Sequence, residues 1–290
     1  GLHGARPGNK VVITASYRYG GGAAGNVEIG TINRAAALPP GVTVNNPLAT
    51  WGGTDAETTD EAEQSIPSYL RHRDRLVTAD DFVEIVRRTP GLSVGRVDVL
   101  PSFHPDRPNV PSPGTVTLMV LPQTDPADPT APTPDGRFLT GVRAYVDPRR
   151  LITTEVVVTG PTYRLVDVTL HFQPESEQQV ATVQDSILQA LRQYLSPLTG
   201  GHDGTGWPLG RQVAAKELTA MVERIDGVAF VSDLQVMIDG EGPLPTVPMD
   251  GLQLPWLNRC QALWGGGSGQ GSASLQGTPT NLILVPVRKA

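Results

Sequence analysis

Five histidines, His3, His72, His104, His171 and His202, are the first candidates for acid–base or metal chemistry, and no two stand at metal-ligand spacing. His202-Asp203 could form an acid/base couple, but side chains adjacent on a chain rarely aim at one point. His171 falls on the polar side of an expected strand, where an exposed structural histidine is the ordinary reading. Asp80 and Asp81 open an expected helix, and capping explains them better than a catalytic carboxylate pair. The run Gly20-Gly21-Gly22-x-x-Gly25 superficially resembles a phosphate-cradling loop. Such a loop needs a helix directly after it, whereas Asn26-Val27-Glu28-Ile29 reads as extended chain and no Gly-Lys-Ser/Thr follows. Ser268 misses a Gly-x-Ser-x-Gly elbow because Gln270 takes the last place. Cys260, the single cysteine, excludes an internal disulfide framework and any multi-cysteine metal site. With no histidine near it in sequence it reads as a small buried or partly buried residue. No catalytic, metal or cofactor-binding residue is assigned, and the expectation is a non-enzymatic protein without a cofactor.

The composition fits that expectation. At 290 residues the chain can hold two modest domains or one large one. With aromatics at only 5%, the core must rest on Val, Leu, Ile and Ala. The 32 glycines and 27 prolines lack a collagen-like period and indicate ordered elements joined by long, stiff loops. A net charge of −6 gives no general attraction to nucleic acid or an anionic membrane. No signal peptide and no apolar run long enough to span a bilayer stands out. The opening Gly1-Leu2-His3-Gly4 has no Met and is read as the continuation of a larger protein.

Strands are expected over 11–19, 94–100, 115–121, 154–158, 162–172, 228–238 and 282–287, with a short extended piece over 27–32. In the 162–172 strand Val166, Val168, Leu170 and Phe172 alternate with Asp167, Thr169 and His171, one face buried and one wet. Helices are expected over 55–75, broken by Pro67, and over 78–88, 138–146, 178–195 and 211–225. The 55–75 segment runs from acidic (Glu57, Asp60, Glu61, Glu63) to basic (Arg71, His72, Arg73, Arg75), which suits the helix macrodipole; a solvated helix and an interface helix both fit it. In 78–88 Thr78 and Asp81 form a candidate capping box, and Phe82, Ile85 and Val86 share one face. Residues 239–280 read as loop, most flexible over 265–271, and Trp51, Trp207, Trp256 and Trp264 all read as loop tryptophans that contact a partner or the core. Val86-x-Arg88-x-x-Gly91-Leu92 is echoed by Val222-x-Arg224-x-x-Gly227-Val228, each a helix end, a glycine stop and a strand. The fold class is α+β, several small mixed helix/strand modules with long Pro/Gly-rich loops. The expected divisions are 1–75 (a β-rich segment and charged helix), 76–150 and 151–239 (two α/β modules) and 240–290 (a loop-rich segment with a closing strand).

Several blocks in this order resemble the baseplate J-like family of contractile phage tails and phage-tail-like injection systems. They are Tyr17-Arg18-Tyr19-Gly20-Gly21-Gly22-Ala23-Ala24-Gly25-Asn26-Val27, Asn46-Pro47-Leu48, Gly52-Gly53-Thr54-Asp55-Ala56-Glu57 and Arg71-x-Arg73-Asp74-Arg75-Leu76-Val77-Thr78-Ala79-Asp80-Asp81-Phe82. The resemblance covers roughly residues 11–100, with the alternation to 238 compatible and nothing recognisable beyond 239.

It implies a structural wedge subunit that pairs with a related wedge protein. Such subunits close a six-fold ring around spike and hub, link tube and sheath and relay the contraction trigger. The implied setting is a particle assembled in the bacterial cytoplasm, with no nucleic acid and no direct membrane insertion. Arg71, Arg73, Arg75, Asp80, Asp81 and Phe82 are the candidate partner interface. Two rivals remain: a particle-borne carbohydrate-binding or carbohydrate-hydrolysing protein, which needs two carboxylates facing each other across a cleft, and a generic adhesin or binding module.

Overall fold

The computed structural model describes residues 8–12, 14, 21–35, 39, 41–47, 49–50, 53–125, 128–238, 242–266 and 269–276. The chain forms two compact units, Gly1–Ile66 and Pro67–Ala290.

None of the described residues of the first unit is buried. Polar links between its loops hold it instead. Asn26 grips Gly53 in both directions, Nδ2 donating to the carbonyl and Oδ1 accepting from the N–H, each at 2.8 Å. The Thr50 hydroxyl donates to the Gly25 carbonyl and accepts from the Val27 N–H, both at 2.7 Å. Asn46 accepts from the Ile32 N–H at 2.8 Å and donates to the Glu28 carbonyl at 2.9 Å. Over 27–32 the chain forms no strand, because Gly30 turns it at φ 77° and side chains replace a regular ladder. Most of the expected 11–19 strand lies outside the described residues, and Val11, Val12 and Thr14 belong to no strand.

The first α-helix, α1 (Thr59–His72), runs through Pro67 rather than breaking there. Proline removes one backbone bond but keeps a helical φ. The helix start is secured by a reciprocal pair in which the Thr58 N–H donates to Glu61 at 2.8 Å and the Glu61 N–H to the Thr58 hydroxyl at 3.3 Å.

In the second unit, α2 (Ala79–Arg87) and α3 (Gly136–Val146) pack on a three-stranded sheet of β1 (Val94–Pro101), β2 (Thr115–Pro122) and β3 (Glu155–Thr159). The order is β1-β2-β3, antiparallel then parallel. A four-stranded sheet follows, in the order β6-β4-β8-β9: β4 (Thr162–Pro174), β6 (Val228–Ile238), β8 (Gln253–Gly266) and β9 (Gly269–Gln276). It is covered by α4 (Val180–Tyr194) and α5 (Ala215–Val222). The strands flanking Gly160-Pro161, β3 and β4, therefore belong to different sheets.

Strand β2 explains how two sheets share one unit. Leu118 and Val120 enter the cluster of Phe82, Val86 and Val142, while Met119 and Leu121 enter that of Val168, Leu170, Ile187 and Trp207. Buried on both faces, the strand is a continuous apolar run rather than an alternating one. In β4 the expected alternation is present, with Val166, Val168, Leu170 and Phe172 all buried and His171 exposed.

Residues 239–280 differ most from the reading as loop. β8 pairs in parallel with β4 and antiparallel with β9, and β7 (Thr246–Val247) pairs with β5 (Val213–Ala214). A bulge at Asn258 explains the missing pattern. Leu257 partners Val166, but Arg259 partners Asp167; 254–257 are all buried, and alternation begins only past the bulge, with Cys260 and Ala262 inward and Arg259 exposed. Pro255 is accommodated because β9 pairs only from Arg259 onward, leaving β8 an edge strand at that point. Gly265, Gly266 and 269–271 belong to this hairpin, Trp256 and Trp264 lie in β8, and the expected 282–287 strand is outside the described residues.

Helix α5 (Ala215–Val222) is shorter at both ends than the expected 211–225 helix. Val213 and Ala214 are taken into the β5–β7 pair, and the Ala215 N–H donates to the Pro245 carbonyl. The helix–glycine–strand echo is structural. Gly91 and Gly227 both adopt left-handed φ, 73° and 90°, and each feeds an edge strand antiparallel to the centre of its sheet.

Candidate interaction surface

Helix α1 packs with the wrong face inward for an ordinary amphipathic helix. Its covered positions are Ala62, Ser65, Ser68 and the buried His72, at helical spacing. Its apolar residues Ile66, Tyr69 and Leu70 are 51%, 52% and 60% exposed. They follow i, i+3, i+4 spacing and so form one outward stripe. Ser68 donates to Glu84 of α2, and Glu84 also faces Arg71 at 3.6 Å.

A strained turn ends α1. Arg73 and Asp74 both hold left-handed backbone, φ 47° and 59°, which costs a residue with a β-carbon about 1–2 kcal/mol. The surrounding bonds enforce it. The Arg73 N–H donates to the Tyr69 carbonyl, the Asp74 N–H to His72 Nδ1 at 2.9 Å, and the Asp74 carboxylate meets Arg149 Nε at 2.6 Å. Because His72 Nδ1 accepts an N–H, its proton sits on Nε2, which is buried without a hydrogen-bond partner among the described residues. Leu76 then anchors the chain, 1% exposed, with its N–H on the Arg149 carbonyl.

The six candidate interface residues divide. Arg71, Arg73, Arg75 and Asp80 are exposed. Arg73 and Arg75 have no acidic partner among the described residues. Asp81 and Phe82 turn inward, 3% and 4% exposed. Asp81 Oδ2 accepts from the Thr78 N–H at 2.8 Å and the Val77 N–H at 3.3 Å. Burial pushes its carboxyl up, but those bonds and the Thr78 hydroxyl outweigh it and the pKa is lowered. Phe82 joins Ile85 and Val86 in the core.

The first and third motif blocks of the first unit meet in space, and the second ties down the segment that follows the first. Asp55 accepts from the Ala23 N–H at 2.9 Å, Asn26 holds Gly53, and Asn46 holds the 28–32 segment. Gly22, at φ 62°, has no room for a β-carbon against Asp55, nor has Gly53 against the Gly22 carbonyl. The glycines therefore serve close packing of loops. Residues 17–20, Leu48 and Gly52 of these blocks lie outside the described residues, as does Trp51.

Among the described residues, those singled out for chemistry stay apart, and His3, Gly20 and Ser268 lie outside them. His202 and Asp203 are exposed turn residues, and His104 Nδ1 accepts from the Asp106 N–H at 3.1 Å. Cys260 is fully buried and its thiol is pushed up to about 12 by that burial. Trp207 is fully buried, and Trp256 is 7% exposed with its indole N–H 3.3 Å from the Thr130 hydroxyl. Sequence reasoning missed the cluster around Glu217, which accepts from the Tyr194 hydroxyl and, at 2.6 Å, from Arg211. Burial, then Glu217, raises the Tyr194 hydroxyl to about 12. These groups lie far apart in sequence and carry no common motif. An open groove of about 490 Å³ is lined mainly by Leu234, Pro243, Leu244 and Pro245, with Lys216 its charged residue. Among the described residues, no three His, Cys, Asp or Glu side chains gather as a metal site, and no helix is long and apolar enough to cross a membrane.

No family model and no curated protein matches the chain. Among solved structures the fold is similar to a chain of the anti-feeding prophage baseplate, determined by cryo-electron microscopy with six-fold symmetry imposed. The TM-score is 0.51 at 18% identity, and the match covers 76% of this chain and 46% of that one, so the chain spans about half the length of its structural neighbour. What the geometry and the comparisons jointly establish is an α+β chain similar in fold to a chain of the anti-feeding prophage baseplate.

Proposed function

We propose that this chain is a non-enzymatic structural subunit of the baseplate of a contractile injection system or contractile phage tail. Its role is that of a wedge: it pairs with a related wedge protein and helps close a six-fold ring around spike and hub. Through the ring it connects to tube and sheath and relays the contraction trigger, in a particle assembled in the bacterial cytoplasm. The observation that carries this reading is the fold likeness across 76% of the chain to a baseplate chain. The outward apolar stripe of α1 beside Arg71, Arg73 and Arg75 supports it, since apolar, tyrosine and arginine side chains together are the composition of a protein interface. So does the exposure of the first unit's described residues, none of which is buried and which neighbours in a ring would cover.

The test is charge reversal. Arg71→Glu, Arg73→Glu and Arg75→Glu together are expected to leave the chain folded by circular dichroism and to abolish assembled particles in electron micrographs. Normal particle numbers from that variant would defeat the interface assignment.

A further inference from the structure

The larger sheets of the second unit have guarded edges, with one exception. A bare edge is a row of unpaired N–H and C=O groups, and chains blunt it with charge, proline, bulges or shortness. On β1 the register shifts between Val94 and Arg96, and the strand carries Arg96 and Asp98. β3 is five residues long and opens on Glu155. β6 has two register shifts, at Ser232 and Ala229, and the exposed Asp233. Where β8 runs without β9 beside it, Pro255 removes a donor. β9 has none of these devices. Its eight residues, Gly-Gln-Gly-Ser-Ala-Ser-Leu-Gln, include no charge and no proline. It pairs with β8 without a shift, from Gly266 with Gly269 to Arg259 with Gln276. Its other side pairs with no strand among the described residues.

We propose that β9 receives an extended strand from a different protein of the baseplate, which joins the sheet as its fifth strand. The edge itself sets the chemistry of the occupant: only a backbone in β conformation offers donors and acceptors at the matching spacing. Register adds a side-chain rule. Gly271, Ala273 and Leu275 stand opposite Trp264, Ala262 and the buried Cys260, whereas Ser272 and Ser274 stand opposite Leu263 and Gln261. The incoming strand therefore alternates, apolar level with 271, 273 and 275 and polar between them.

That rule disfavours two occupants from this chain. Leu282-Ile283-Leu284-Val285 is apolar at four successive positions and does not alternate. β9 against β9 of a second copy is a two-fold contact, which a six-fold ring does not contain, and the β6 edge of a second copy is bulged. The inference rests on the proposed baseplate role and adds a kind of partner to it.

Proline substitution tests the edge. Neighbouring residues of a strand direct their N–H groups to opposite sides. Of Ser272→Pro and Ala273→Pro, one therefore breaks the β8 ladder and lowers the melting temperature, while the other removes only a donor of the open edge. The latter is expected to keep the parental melting temperature and to lower particle yield at least ~10-fold. A photo-reactive benzoylphenylalanine replacing Ser272 or Ser274, in the full chain within particles, identifies the strand and decides the matter even where both prolines unfold the chain. One adduct is expected, to an alternating segment of another baseplate protein. An adduct confined to residues 277–290 of the same chain or to a second copy, or no adduct, overturns the inference. Normal particles from the stable proline variant, with the chain still recovered beside tube and sheath, sink only this inference. Recovery of the unaltered chain without tube or sheath protein sinks the functional reading and this inference with it.

Discussion

The guanidinium of Arg96 donates to the main-chain carbonyl of Trp207 at 2.7 Å, joining residues 111 positions apart. The same Nη1 donates to the Pro197 carbonyl at 2.7 Å, while Nε meets Asp98 at 2.6 Å. A residue on β1, in the three-stranded sheet, thus clasps the loop that follows α4. Gly206, at φ 102°, passes close to both Arg96 and the Pro197 carbonyl, so a side chain there has no space.

Arg96→Met removes that clasp and strands two carbonyls and a carboxylate. A loss of about 2–3 kcal/mol is expected, read as a lower denaturation midpoint in urea. A variant as stable as the parent would show that the second unit coheres through apolar packing alone.

Asp81→Ala removes the capping box of α2 and is expected to cost about 1 kcal/mol at neutral pH. Because the folded carboxyl is held below its ordinary value of 3.8, its contribution is complete above that value and fades as pH falls through the lower, folded one. The difference in stability between parent and variant should therefore be flat from pH 7 to 5 and shrink below about pH 4. A difference that grew on acidification would contradict the cap.

Arg73→Gly separates stability from assembly. The left-handed backbone at φ 47° is comfortable for glycine, so a gain of about 0.5–1 kcal/mol is expected. One cation of the docking face is lost at the same time, so particle yield should fall while the melting temperature rises. A rise in both would remove Arg73 from the interface.

Cys260 is fully buried, and burial pushes its thiol up to about 12. The native protein is expected to resist a thiol reagent at pH 8 and to react with one equivalent after unfolding in guanidinium. Rapid labelling of the native chain would mean that the β4–β8 pairing opens readily.

Much of the second unit was legible in its sequence because local signals agreed with tertiary ones. The Thr78–Asp81 box and the alternation in β4 needed no distant partner to be seen. Three features hid from such reading. In β8 residues 254–257 are buried throughout and the Asn258 bulge shifts the register before Cys260 and Ala262, so no single alternation marks this strand. Val213 and Ala214 leave the expected 211–225 helix because Val247 and Thr246, far along the chain, pair with them. The Arg96 clasp and the Glu217 cluster join groups with no shared motif. For the candidate surface, the charge run along 55–75 was visible. The outward turn of Ile66, Tyr69 and Leu70 depends on Ser68 and His72 being drawn inward, and the inward turn of Phe82 on the packing of α2; periodicity by itself does not say which stripe of a helix meets the core.

The most direct measurement is a reconstruction, by electron microscopy, of particles purified through a tag on this chain. The account predicts six-fold density at the end of a contractile tail into which the second unit fits, with Ile66, Tyr69 and Leu70 covered by a neighbouring chain. Recovery of the tagged chain alone, as a monomer with that stripe still open to solvent and no tube or sheath protein beside it, would contradict it.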